Sequence, residues 1–121
     1  MSGEVIKSFA SPSTNPAGLA FDGKYLWHCD FSSDRIYQLD MDGNVIKSFA
    51  SPSTDPRGLA FDGKYLWHCD TASDKIYQLD LDGKIIKSFV SPSTASRGLA
   101  FDGKYLWNSD YSSDRIYQIA R

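Results

Sequence analysis

The chain has 121 residues, of which 41% are hydrophobic and 14% aromatic, and it carries a net charge of −2. This share of apolar residues excludes a disordered chain and is sufficient for the core of one domain. Acidic and basic residues are spread evenly and form no run or stripe, so nucleic acid is not an expected partner. Uninterrupted apolar stretches are too short for a transmembrane helix, and the first residues lack the pattern of a signal peptide. We therefore expect a cytoplasmic protein without membrane contact.

The sequence repeats with a period of 40 residues. One near-identical segment begins at Gly18, Gly58 and Gly98, and segments 3–42 and 43–82 agree at 33 of 40 positions. A period of this size indicates that one supersecondary unit is used several times. The predicted units of this single domain are 3–42, 43–82 and 83–121.

The predicted elements follow the same order in every unit, and the second unit serves as the example. Segment 45–50 is rich in β-forming residues and predicts a strand. Segment 51–57 must be a loop, because its two prolines cannot continue a hydrogen-bonded ladder. The Asp62-Gly63 pair predicts a tight hairpin turn, and no segment has helical spacing. The predicted strands are 45–50, 58–61, 65–70 and 76–79.

Four short antiparallel strands in about 40 residues are typical of one blade of a β-propeller. Residues 65–67 are apolar on both faces of their strand. This pattern suits a blade packed between two neighbours and does not suit a sandwich with one solvated face. We therefore predict an all-β fold, a β-propeller with three four-stranded blades per chain.

The repeat resembles those of the NHL and YWTD families of propellers over essentially the whole chain. It shares their Gly-Leu-Ala-Phe-Asp opening, an aromatic strand that closes on aspartate, an isoleucine after a basic residue, and the Asp-Gly turn. It departs from them in a slightly short period and in Trp-His-Cys-Asp, which replaces Tyr-Trp-Thr-Asp. The resemblance implies a six-bladed ring and a structural role for Asp30, Asp70 and Asp110 in linking strands or blades. It implies no single function, because such propellers serve as enzymes, receptors and binding platforms.

Three blades do not close a ring, since propellers have about four to eight. Segment 4–10 matches the fourth strand of a blade, and segment 116–121 matches the third strand of one. We expect segment 4–10 of one chain to complete the last blade of a neighbouring chain. Applied reciprocally, this exchange predicts a homodimer with six blades, and a homotrimer with nine blades is the alternative.

The differences between the copies fall in the loop before the first strand of each blade and around the end of the second strand. In a propeller both regions lie on one rim, where partners are usually bound. One interpretation is a ligand site at this rim, for a glycan, a peptide or a small anion. The other is that rim loops tolerate substitution while blade interiors do not. The candidate ligand-binding residues are Arg57, Arg97, His28, His68, Asn108, Phe31 and Tyr111.

The pairs His28-Cys29 and His68-Cys69 contain two types of zinc ligand. Adjacent residues of a strand point to opposite faces, however, so such a pair does not readily chelate one ion, and we expect no metal or other cofactor. Equivalent positions of neighbouring blades lie too far apart for a disulfide. The two cysteines are therefore predicted to be free thiols in a reducing compartment.

The sequence contains no phosphate-binding loop, nucleophile elbow or Cys-x-x-Cys pair. The near-identity of the units also argues against catalysis, because a catalytic site requires one blade to differ sharply from the others. We therefore predict that the protein is not an enzyme but a self-assembling propeller scaffold, produced by recent amplification or by design. The alternatives are a binding module at the rim loops and, in third place, a propeller hydrolase or lactonase.

Overall fold

A computed structural model describes residues 3–121 of the chain, which form eleven β-strands. Within that range there is no helix that could cross a membrane. The strands are β1 Pro16–Phe21, β2 Leu26–Asp30, β3 Arg35–Leu39, β4 Val45–Ala50, β5 Pro56–Phe61, β6 Leu66–Asp70, β7 Lys75–Leu79, β8 Ile85–Val90, β9 Ser96–Phe101, β10 Leu106–Asp110 and β11 Arg115–Ile119.

The strands form three antiparallel sheets in which sequence neighbours pair in order. The first sheet contains β1 to β4, the second β5 to β8, and the third β9 to β11. Such a four-stranded meander is one propeller blade, so the described part of the chain has two complete blades and a third with three strands. The predicted all-β propeller fold is confirmed, and the chain is a partial propeller.

Adjacent blades pack face to face through apolar side chains. Trp27, Cys29 and Ile36 of the first blade are fully buried against the second blade, where Leu59 and Leu66 belong to the same core cluster. An equivalent cluster joins the second blade to the third, and its buried members are Ala60, Trp67, Cys69, Ile76 and Leu106. Each blade is therefore apolar on both faces, as the sequence pattern predicts, and the core lies between blades.

The innermost strands β1, β5 and β9 approach one another closely because each has a glycine at the contact. A Cβ on Gly58 would lie 2.7 Å from the carbonyl oxygen of Arg97 and 3.2 Å from the backbone nitrogen of Leu99. A Cβ on Gly18 would similarly lie 2.9 Å from the carbonyl oxygen of Arg57. These glycines let the inner strands converge towards the axis of the propeller.

The turn between the first two strands of each blade is built around an aspartate. Asp22 Oδ1 accepts hydrogen bonds from the backbone N–H groups of Lys24 (2.9 Å) and Tyr25 (2.8 Å). Its Oδ2 accepts one from Trp27 Nε1 (2.8 Å), so the turn also anchors a core tryptophan. The same bonds recur at Asp62 and Asp102. The sequence predicts the turn but not its link to the tryptophan.

A second aspartate ties the end of β2 to the loop before β1. Asp30 Oδ1 accepts hydrogen bonds from the N–H groups of Ser32 (2.9 Å) and Ser33 (3.2 Å), and its Oδ2 accepts one from the N–H of Asn15 (3.0 Å). Burial acts to raise the pKa of the Asp30 carboxyl, but these bonds outweigh it and the pKa lies below its usual value. Equivalent bonds surround Asp70 and Asp110. The structural role implied for these aspartates agrees with this geometry.

Segment 3–10 forms no strand in the single chain. Its residues 5–10 are nevertheless identical in sequence to β4. Val5 and Ile6 are among the most exposed apolar residues of the described chain. The single chain does not test the strand predicted over 4–10, which stays a prediction about an assembly.

Candidate functional site

Inner strands β1, β5 and β9 all begin at one rim, and the second residue of each strand differs between blades. It is Ala17 in the first blade, Arg57 in the second and Arg97 in the third. A cavity of about 190 Å³ opens at this rim and is lined by these three residues together with Pro16 and Phe31. A second cavity of about 180 Å³ runs along the inner strands and is lined by the same arginines. We call this region the channel mouth.

Arg57 is held in place on two sides. Its guanidinium carbon lies 4.1 Å from the centre of the Phe31 ring, which belongs to the preceding blade. Its Nε lies 2.9 Å from Asp55 Oδ1, without the alignment of a hydrogen bond. Thr71 Oγ1 donates a hydrogen bond to the other oxygen of Asp55. The side chain is therefore positioned by stacking and an ion pair, and it is mostly buried.

Arg97 occupies the same place in the third blade but in a different charge environment. Its guanidinium carbon lies 5.5 Å from the centre of the Tyr111 ring. Residue 95 is alanine where the second blade has aspartate, so Arg97 lacks the acidic neighbour that Arg57 has. Within residues 3–121 the structure records no ion pair for Arg97. The channel mouth therefore carries an uncompensated positive charge.

The predicted site residues on β2, β6 and β10 line neither of the two cavities that hold the arginines. His28 is 3% exposed, His68 fully buried and Asn108 1% exposed. The ring of His28 stacks on Tyr37, and its Nδ1 lies 3.3 Å from the carbonyl oxygen of Gly18. Its Nε2 has no hydrogen-bond partner and lies 3.8 Å from Asp30 Oδ2. Burial lowers the pKa of His28, and the neighbouring Gly18 carbonyl and Asp30 only partly offset that effect.

Asn108 in the third blade belongs to a local network that sequence reasoning missed. Its Nδ2 donates hydrogen bonds to Ser96 Oγ (2.7 Å) and to the carbonyl of Gly98 (3.0 Å). The N–H of Gly98 in turn donates to Ser109 Oγ (3.2 Å). The first two blades have proline, histidine and cysteine where the third has serine, asparagine and serine. The sequence does contain a signal for this network, because these three substitutions all fall in one blade.

Cys29 and Cys69 are free and fully buried, as predicted for their thiol state. Burial raises the pKa of Cys29 to about 12 and that of Cys69 to about 11, so both thiols stay protonated at neutral pH. In the described range, no three side chains among His, Cys, Asp and Glu are grouped to share a metal ion.

The outer face of the first blade and the outer face of the third blade form a second candidate site, for contact with another chain. The sequence analysis does not assign residues to it. Leu19 on β1 is 67% exposed, whereas its equivalent Leu59 on β5 is 2% exposed. Ile116 on β11 is 74% exposed, whereas its equivalent Ile76 on β7 is fully buried. A cavity of about 300 Å³ lies on the face of the first blade, lined mainly by Phe9, Pro12, Pro16, Leu19, Leu26 and Leu39.

No protein-family model matches the chain, and no curated protein sequence matches it significantly. Solved structures do share its fold. Glutaminyl cyclase from Myxococcus xanthus has a TM-score of 0.74 and 15% identity, over 87% of this chain and 47% of that one. Virginiamycin B lyase from Staphylococcus aureus, solved as an inactive variant with quinupristin, has a TM-score of 0.70 and 19% identity, over 99% and 46%. A chain of the nidogen/laminin complex has a TM-score of 0.71 and 23% identity, over 85% and 42%.

These similarities confirm the fold that the resemblance to NHL and YWTD propellers implies. The chain spans less than half the length of each of these solved structures. The prediction that the protein is not an enzyme is wrong as an inference, because a cyclase and a lyase are among the proteins that share this fold. Missing motifs and similar blades are not grounds for excluding catalysis, since function depends on side chains at the site and not on the fold.

Proposed function

We propose that the chain is a self-assembling propeller scaffold, a half-ring that closes into a six-bladed ring with a second copy of itself. The observation that carries this proposal is the position of segment 5–10. It lies against the first blade in the same way as β4 lies against the second.

One contact that supports this equivalence is an ion pair. Lys7 Nζ lies 3.1 Å from Asp42 Oδ1. In the same way, Lys47 Nζ on β4 lies 2.9 Å from Asp82 Oδ1 in the next blade. These exposed pairs contribute little energy, and their value here is that they report the same placement.

A packing contact supports the same equivalence. Phe9 lies so close to Gly43 that a Cβ there would be 2.5 Å from its ring. Phe49 on β4 lies equally close to Gly83, with 2.6 Å to the corresponding Cβ position. Both glycines have a positive φ in the turn before an outer strand, and their lack of a Cβ leaves room for a phenylalanine from the preceding blade. Segment 5–10 thus occupies the position of a fourth strand.

A fourth strand pairs along the edge of a third strand, and within the described residues β11 has such an edge open. In the complete first blade, β3 pairs with β4 so that Ile36 lies opposite Phe49. The sequence of β11 matches that of β3 except at its last residue, and among the described strands β11 pairs only with β10. By the same register, Ile116 of one copy lies opposite Phe9 of the other. The unpaired ladder and the exposed isoleucine are covered together.

The outer faces described above are the two halves of an interface that already forms twice within the chain. The face with Leu19 corresponds to the half that the second and third blades contribute, and the face with Ile116 corresponds to the other half. Closing the ring buries both, and the hydrophobic effect favours this burial. A head-to-tail contact that closes on itself leaves no edge free to extend into fibres.

Six blades are favoured over nine by the length of similar propellers. Nearly the whole chain matches 46% of virginiamycin B lyase. A half-ring is expected to span about half of a complete propeller, whereas three blades of a nine-bladed ring span a third. A dimer is therefore the expected assembly, and a trimer is the alternative.

The first test is light scattering coupled to size-exclusion chromatography. We expect twice the mass of one chain for the wild type, and one chain mass for Ile116→Asp, which places a charge on the open face. Ile86→Asp is the matched control, because Ile86 is an exposed isoleucine of an outer strand away from that face. A monomeric wild type overturns the proposal, and three chain masses replace six blades by nine.

The second test is a cross-link across the predicted joint. Arg35 lies opposite Ala50 in the first blade, so Arg115 of one copy is expected opposite Ala10 of the other. Ala10→Cys combined with Arg115→Cys should give covalent dimers on oxidation, since cross-strand neighbours lie within the reach of a disulfide. Ala10→Cys combined with Lys75→Cys is the control, because Lys75 already faces Val90 of its own blade. Equal cross-linking in both variants would contradict strand exchange.

A further inference from the structure

The channel mouth holds positive charge that the proposed assembly does not use. We propose that Arg57 and Arg97 bind a small oxyanion there, either a phosphate or a compact dicarboxylate. This site lies within one chain, so the inference does not rest on ring closure.

The charge balance of the mouth favours an anion. Arg57 and Arg97 stand at the same position of adjacent inner strands and line the same cavity. Asp55 pairs with Arg57, and alanine at position 95 leaves Arg97 without an equivalent carboxylate. Two guanidinium groups that share one cavity repel each other, and an anion between them is attracted by both and offsets this repulsion.

The two arginines also have hydrogen-bond donors to offer. Stacking on Phe31 covers one face of the Arg57 guanidinium and leaves the N–H groups at its edge. Arg57 Nε lies 2.9 Å from Asp55 Oδ1, which leaves the terminal N–H groups of the guanidinium for a ligand. Arg97 is exposed and stacks more loosely, over Tyr111. A planar guanidinium held by an aromatic ring suits the paired oxygens of a carboxylate or phosphate, which it binds with two parallel hydrogen bonds.

The size of the cavity selects among the ligands expected at the rim. Its volume of about 190 Å³ is below the range of about 300–1,000 Å³ typical of pockets for drug-sized ligands. This volume suits a small anion better than a glycan or a peptide. Ala17 in the first blade contributes to the opening, because an arginine there would project into the same space.

Isothermal titration calorimetry at low salt tests the site, with inorganic phosphate and succinate as separate probes. We expect saturable binding of at least one probe, with one site per chain, and weaker binding as salt is added. Arg57→Ala with Arg97→Ala should weaken binding at least about tenfold. Lys64→Ala with Lys104→Ala is the matched control, because it removes two exposed charges in the turns at the opposite rim and should leave binding unchanged.

The variant Arg57→Lys with Arg97→Lys separates charge from geometry, and we expect it to bind more weakly than the wild type because lysine lacks the planar fork. Binding of phosphate alone or of succinate alone supports the proposal and identifies whether the site prefers a phosphate or a dicarboxylate. Absence of saturable binding of both probes, or equal binding after the double alanine substitution, overturns it. Light scattering on the same samples reports ring closure independently, so failure of one proposal is distinguishable from failure of the other.

Discussion

The middle blade and the two outer blades contain nearly the same residues in different surroundings. Leu59 of the middle blade is buried, and Leu19 at the same place in the first blade is mostly exposed. Ile76 is buried, and Ile116 of the third blade is mostly exposed. The repeat therefore encodes one interface divided between consecutive blades, and a blade is completed only by its neighbours.

This difference is the reason why we propose an assembly for an internal repeat of high identity. A blade that is apolar on both faces leaves one apolar face exposed wherever a neighbour is lacking. The outer faces are complementary because each resembles one half of an interface that forms inside the chain. Substituting the same residue in the middle blade and in an outer blade tests whether the two surroundings differ as described.

The largest expected effect is at the inner glycines. Gly58→Ala should destabilise the chain by about 2–3 kcal/mol, because its Cβ would meet the backbone of the next inner strand, which has little room to move. Gly98→Ala should cost less than about 1 kcal/mol, since its Cβ would meet only the side chain of Ser109. Urea unfolding of dilute samples measures both changes.

Ring closure adds an expected change of oligomeric state to this first prediction. By equivalence with Gly58, Gly98 faces an inner strand of the second copy in a closed ring. Gly98→Ala should then convert the dimer to monomers by light scattering while the far-ultraviolet circular dichroism stays unchanged. Equal destabilisation of the single chain by both substitutions would contradict the difference between the middle and outer blades.

Much of the fold was predictable because it depends on local signals. The period of 40 residues, the Asp-Gly turns and the prolines before each inner strand place most strands within a few residues of their observed positions. The structural role that the resemblance implies for Asp30 and Asp70 also rests on partners that lie close in sequence. In each of these cases the residues that determine the structure lie close together in the sequence.

The candidate site was only partly predictable because it depends on contacts between blades. Arg57 and Phe31 were chosen because they differ between repeats, yet their stacking joins two blades and has no local signal. His28 was chosen on the same grounds and is buried, because the direction of a strand residue decides whether it faces a rim or a neighbouring blade. Variation between repeats therefore marks both ligand-accessible and packing positions.

The differences around Asn108 separate these two kinds of position. Asn108→His should destabilise the third blade by about 1–2 kcal/mol, because Ser96 loses its hydrogen-bond donor in a buried setting. Adding Ser96→Pro and Ser109→Cys, which recreates the middle blade, should restore most of that loss. Urea unfolding of the single, double and triple variants gives the coupling energy. Additive effects would show that the substitutions are independent of one another.

The smallest expected effect is a pH dependence that the first blade has and the third lacks, since the third has asparagine in place of histidine. Burial lowers the pKa of His28 in the folded chain, so below pH of about 6.5 the unfolded chain binds a proton that the folded chain does not. Stability should therefore fall as the pH drops from about 6.5 towards the lowered value, with a slope of at most about 1.4 kcal/mol per pH unit.

The titratable residues that follow His28 on β2 leave this window clear. The pKa of the Asp30 carboxyl lies below its usual value, and burial raises the pKa of the Cys29 thiol to about 12, so both titrate outside the window. Urea midpoints of the wild type and His28→Asn, measured between pH 7.5 and 5 on either side of the reference histidine pKa of about 6.5, isolate the contribution of this residue as the difference in slope. Parallel profiles would mean that His28 titrates alike in the folded and unfolded chains. In that case the first and third blades would differ at this position in packing and not in charge.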